Sequence, residues 1–159
     1  MLVLEGIVMS FVLLVVCVVG IANGPVGLVN FYEPEVQERV VELGLTTRER
    51  IRRNATLAGI ALFVPALLLV PYMVYGINGA RGFAEGFAQM AAISYIFGLF
   101  DRIFIDWWWV GHTRAWIIPG TEDLMPYIAG RTLVGKWLGT LVGFPVLYAL
   151  IAWLMTFIV

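Results

Sequence analysis

Four long apolar stretches, each closed off by a short run of charged or turn-forming residues, leave this chain few ways to fold. A segment of about 20 apolar residues can satisfy its backbone polar groups internally as a helix, and its matching solvent is a bilayer. The stretches run over residues 2–31, 56–76, 83–110 and 133–158, with polar segments at 33–55 and 111–132. Hydrophobic residues make up 61% of the 159 positions and charged residues 13%, too few to cover a water-soluble core of this size. The expected fold class is an all-α integral membrane protein. It would be a four-span transmembrane helical bundle with an amphipathic cytoplasmic helical hairpin, all in one membrane domain over residues 1–159.

The first stretch reads as a span and not as a secretory leader. It has Glu5 and no Lys or Arg near its start, and it outruns the usual apolar region of about 7 to 15 residues. Asn23-Gly24-Pro25 should kink or end it, with 27–32 resuming the helix or lying at the interface. Pro65 and Pro71 should bend the second span and free carbonyls that need partners inside the bundle. Cys17 stands alone, so it reads as a small buried hydrophobe.

The segment 33–55 carries local signals for two helices and a tight corner. Pro34 suits a first turn, Val36, Val40 and Leu43 form a stripe, and Gly44 suits a left-handed helix end. Thr46-Thr47-Arg48-Glu49 then fits a capping box led by Thr46, and the second helix runs into the membrane without a stop. Arg39, Arg48, Arg50, Arg52 and Arg53 in this segment, and Arg114, Arg131 and Lys136 around the later one, outweigh Arg81 in the turn between spans two and three. The positive-inside rule therefore puts both polar segments in the cytoplasm and both termini outside. Trp107, Trp108, Trp109, Trp116 and Trp137 would form an aromatic belt at the cytoplasmic interface. The basic residues lie in mixed loops and not on one face, so nucleic acid is not an expected partner; membrane lipid is.

Gly135, Gly139 and Gly143 lie four apart and form a small-residue ridge along the last span, with weaker pairs at Gly20/Gly24 and Gly82/Gly86. The ridge is expected to bury inside the bundle, with a homo-oligomer as the alternative. Two apparent motifs carry no weight. Gly130 to Trp137 approaches a phosphate loop but lacks its Ser or Thr and any preceding strand, and Asn54-Ala55-Thr56 falls on the cytoplasmic side.

Residues 101–123 hold four of the eleven carboxylates, two arginines, the only histidine and four of the six tryptophans. Charges near a membrane-buried helix need partners or a purpose. On an α-helix Arg102 and Asp106 pair four apart, while Asp101 lies about 100° round on a second, unpaired stripe with His112. In the bland reading the pair is neutral, Asp101 caps or snorkels, the tryptophans anchor, and Thr121 caps a helix that opens with Glu122 and Asp123 and has Pro126 in an early turn.

In the functional reading these groups converge where the loop roofs the bundle. Asp101 and His112 would handle a proton, and Arg102, Asp106, Trp109, Arg114, Glu122 and Asp123 would hold a ligand. Spacings of five and six residues do not favour a helical metal pair, so neither metal nor cofactor is assigned. The expected function is a small-molecule or lipid-headgroup site at the cytoplasmic interface, with chemistry open; the alternatives are an oligomeric small transporter or channel, and a non-catalytic assembly subunit.

Overall fold

The computed structural model describes residues 1–158, and those residues are helical with no strand. Five helices are labelled here α1 (Leu2–Gly20), α2 (Pro34–Glu42), α3 (Arg48–Ile77), α4 (Gly82–Val110) and α5 (Gly130–Met155). All but α2 are long and apolar enough to cross a membrane. The last three each contain a π-helical stretch, at Tyr72–Ile77, Asp101–Val110 and Gly139–Gly143. Single π turns are the common form, so ten residues in a row is unusual.

The first apolar run is not one helix. Its α-helix stops at Gly20, Gly24 turns the chain at φ 110°, and Pro25–Phe31 forms a 3-10 segment that folds back against α3. Hydrophobicity alone does not register this break; the positive φ and the missing Pro25 N–H produce it. Asn54 ties the returning segment to α3 by donating to the Gly27 carbonyl at 3.0 Å. The backbones are so close that a Cβ on Gly27 would collide with the Gly20 carbonyl oxygen.

α4 is the central helix, packed between α1 and α5. Gly6 on α1 accepts the Ile96 side chain, and Gly98 on α4 accepts Thr140 of α5, so small residues set both approaches. Met9, Val70, Val74, Met90, Ile93 and Tyr148 fill the core at one end of these helices. α3 packs on α1, α4 and the 3-10 segment but hardly on α5; its one hydrogen bond to α5 runs from the Tyr148 hydroxyl to the Ala66 carbonyl, 3.0 Å, beside Pro65.

The other end is capped by α2 and the segment 114–129. Val36 and Val40 point into a second core with Ile51, Trp116, Ile118 and Tyr127. Gly44, at φ 70°, closes α2, and Thr47, not Thr46, caps α3 by accepting the Arg50 N–H at 3.2 Å. Thr46 is buried instead, one residue earlier, where its hydroxyl cannot face the orphan N–H groups. α5 has no cap of its own; Glu33 supplies one from a distance, accepting the Thr132 N–H at 3.0 Å. Thr121 also departs from expectation, since it caps nothing. The Ile118 N–H donates to Tyr127, whose hydroxyl lies 2.7 Å from that of Thr121, and Thr121 donates back to the Ile118 carbonyl, a closed ring inside the loop. Pro126 follows in irregular chain and not in a helix.

Trp116 is buried at 2% exposure, so it is a core residue and not part of an interface belt, whereas Trp107 and Trp108 are exposed. The glycine ridge is not buried against another helix: Gly135 and Gly139 have open space where a Cβ would be.

The close approach at Gly27 should be measurable. Gly27→Ala is expected to lower stability in detergent by about 1–3 kcal/mol through overpacking, while Gly59→Ala, whose Cβ meets nothing, should be neutral or stabilising by up to about 1 kcal/mol. Thermal unfolding of the two variants checks this.

Candidate functional site: a buried ion cluster beside an apolar cavity

The π-helical stretch decides how the polar residues of α4 meet. With i→i+5 bonding, residues five apart come close to one face, where α-helical geometry would separate them. Arg102 therefore lies between two carboxylates. Its guanidinium contacts Asp101 through one amino group and Asp106 through the other, the latter at 2.5 Å. Asp101 is thus paired, contrary to the separate stripe expected from 100° per residue.

A fourth charge arrives from α5, where the Lys136 ammonium donates to Asp106 at 2.8 Å and also lies 5.5 Å over the Phe31 ring. Arg102 and Asp106 are buried at 6% and 5% exposure. Two cations and two anions sum to zero, the condition under which charges persist in a low-dielectric interior.

The cluster forms one wall of a cavity of about 440 Å³. Its other walls are apolar, from Met9, Leu13 and Cys17 on α1, Leu62, Phe63 and Ala66 on α3, and Gly139, Gly143 and Leu147 on α5. Tyr32 and Trp116 also reach it from the cap. Three buried donors on residues that line it have no partner among the described residues: Arg102 Nε, the Tyr32 hydroxyl and Trp116 Nε1; Arg102 Nη1 is taken up by Asp106. Asp106 Oδ2 also lacks a hydrogen bond of good geometry, but it already contacts Arg102. Burial chiefly, with Tyr127 beside it, holds the Tyr32 phenol far above its ordinary range, so it stays a neutral O–H donor.

The other expected site residues are placed elsewhere. Trp109 is half-buried and meets Trp116 edge-on at 4.9 Å, so it backs the cavity wall without lining it. His112 is exposed, its Nδ1 is 2.6 Å from the Trp107 carbonyl, and its ring packs on Trp107. Arg114 is exposed and makes no ion pair among the described residues. Glu122 accepts the Gly120 N–H at 2.8 Å and Asp123 pairs with Arg39 at 3.5 Å, both on the outside of the cap. The loop turns these acids outward because Thr121 and Tyr127 take the inside positions.

Among the described residues no group of three or more His, Cys, Asp or Glu side chains is placed to hold a metal ion.

Lys136, Tyr32 and Trp116 are functional candidates that sequence reasoning passed over as such. A signal for Lys136 existed. It is the only lysine in the chain, and Asp101, Arg102 and Asp106 leave one negative charge unmatched.

A second polar group sits at the opposite end of the helices. Glu5, buried at 5% exposure, accepts from Asn78 at 3.1 Å, and the same amide donates to Gln89 at 2.9 Å. Gln89 in turn reaches Glu85.

Comparison with known proteins returned no match: no protein family, curated protein or solved structure is similar to this chain.

If the cluster is balanced as described, removing one charge should hurt more than removing a pair. Lys136→Met is expected to cost about 3 kcal/mol, the lower end for a broken buried pair, since Lys136 keeps some solvent contact. Adding Asp101→Asn, which restores neutrality, should recover a large part. Denaturant unfolding of the single and double variants in detergent reads the coupling.

Proposed function

We propose that this chain is a multi-pass membrane protein that binds an amphiphilic small molecule or lipid in the cavity beside the ion cluster, with the ligand's polar head on Arg102, Tyr32 and Trp116. The observation that carries this reading is the coincidence, among the residues lining one apolar cavity, of three buried donors without a partner among the described residues. Buried polar groups are satisfied in nearly all folded proteins, and exceptions gathered in one cavity mark a place where something else supplies the acceptor. A volume of about 440 Å³ falls within the range of about 300–1,000 Å³ that small-molecule sites occupy.

Orientation belongs to the same proposal. The cap carries Arg39, Arg114 and the arginines at the start of α3, and the turn before α4 carries Arg81 alone, so the cap faces the cytoplasm and both termini face out. The site then lies at the cytoplasmic side of the bilayer. The role proposed for the cluster is binding. His112 takes no part in it.

Native mass spectrometry of protein extracted in mild detergent tests this. Wild type is expected to carry a stoichiometric lipid-sized adduct. Gly139→Leu, which adds bulk at the cavity wall where a Cβ meets nothing, should lose the adduct while the protein stays folded and monodisperse. Wild type without an adduct, or an adduct retained in the variant, would overturn the proposal.

A further inference from the structure

The chemistry of the cavity wall restricts the ligand further, on the premise that the cavity is a binding site. The four ionised groups already balance: Asp101 and Asp106 against Arg102 and Lys136. An added carboxylate or phosphate would leave one net negative charge in the apolar interior. An added amine would leave a positive one. Uncompensated buried charge is the costly case. The unpartnered groups ask for something different. Arg102 Nε, the Tyr32 hydroxyl and Trp116 Nε1 all offer N–H or O–H, and the Tyr32 phenol does not ionise.

Access follows from how the helices pack. α3 hardly touches α5, and the Tyr148–Ala66 hydrogen bond is their one polar link. The α5 side of the cavity includes Gly139 and Gly143, which present no side chain, beside Phe144 and Leu147. The side between α3 and α5 is therefore one that helix packing leaves loosely closed. In a bilayer it would face the hydrocarbon phase, where an apolar chain would already lie.

We propose that the cavity takes an uncharged amphiphile with a carbonyl head, an ester or a quinone on a long apolar chain, entering sideways between α3 and α5. The carbonyl oxygen accepts from Arg102, Tyr32 and Trp116. The chain lies along Phe63, Ala66, Gly139 and Gly143.

The test uses delipidated full-length protein in dodecyl maltoside, which has no carbonyl. Four probes share a brominated sixteen-carbon chain: the methyl ester, the free acid at pH 8, the amine and the alkane. Saturable quenching of tryptophan fluorescence reports binding near Trp116. The ester should bind about ten-fold tighter than any other probe, the equivalent of about 1.4 kcal/mol. Tyr32→Phe should weaken the ester about five-fold and leave the alkane unchanged, which separates a lost hydrogen bond from a damaged fold.

Tighter binding of the acid or amine would overturn the inference while leaving the cavity as a ligand site. No saturable quenching by any probe would overturn both. A ridge covered by a second copy of the chain, seen as a dimer in native mass spectra that excludes all four probes, would also overturn it. Dioleoylglycerol and a long-chain benzoquinone, run in the same assay, then separate the lipid-ester source from the quinone source, and preferential binding of either supports the assignment.

Discussion

Charge neutrality inside an apolar helix bundle is the constraint on which the rest of this structure depends. A guanidinium and an ammonium can be buried there only beside carboxylates, and removing one partner leaves an uncompensated charge that costs several kcal/mol. Asp106 is the hub, contacted by Arg102 from its own helix and by Lys136 from α5. The cluster therefore ties α4 to the fourth long helix beside the cavity. Where α4 and α5 do approach, at Gly98 and Thr140, a glycine replaces the missing space.

The cap serves the same site from the other side. Tyr32 and Trp116 come from segments far apart in sequence, and each is held by its neighbours: Tyr32 by the Tyr127 ring at 5.0 Å and Trp116 by Trp109. Tyr127 in turn is fixed by the ring of hydrogen bonds through Ile118 and Thr121. Glu33, the residue after Tyr32, caps the start of α5. One short stretch of chain therefore positions a cavity donor and anchors the helix that brings Lys136. Preorganised donors of this kind lose little entropy on binding.

The helical class and the four long apolar helices were legible because backbone groups in an apolar chain have few ways to be satisfied. The break in the first run was legible at Asn23-Gly24-Pro25; the 3-10 form of Pro25–Phe31 and its fold back against α3 were not, because α-helix and 3-10 segments can share one hydrophobicity. Thr46 and Thr121 were good cap residues by type, yet the first sits one residue early and the second is drawn inward by Tyr127. Asp101, Arg102 and Asp106 were found by type and place, but their geometry was not, since counting at 100° per residue assumes an α-helix and α4 is π-helical there. Lys136 lies thirty residues from Asp106 in sequence, a distance that no local rule bridges and only a charge balance across helices would. The outward turn of Glu122, Asp123 and His112 depends on which side chains the loop buries, and that is settled by packing.

The central claim is that the unpartnered donors beside the ion cluster are met by a ligand. It is tested most directly by a high-resolution electron cryo-microscopy structure of the protein in nanodiscs made from its native membrane. Continuous density is predicted, running from Arg102, Tyr32 and Trp116 out between α3 and α5 past Gly139 and Gly143. Isolated water peaks on those donors, or side chains closed over the cavity, would contradict it.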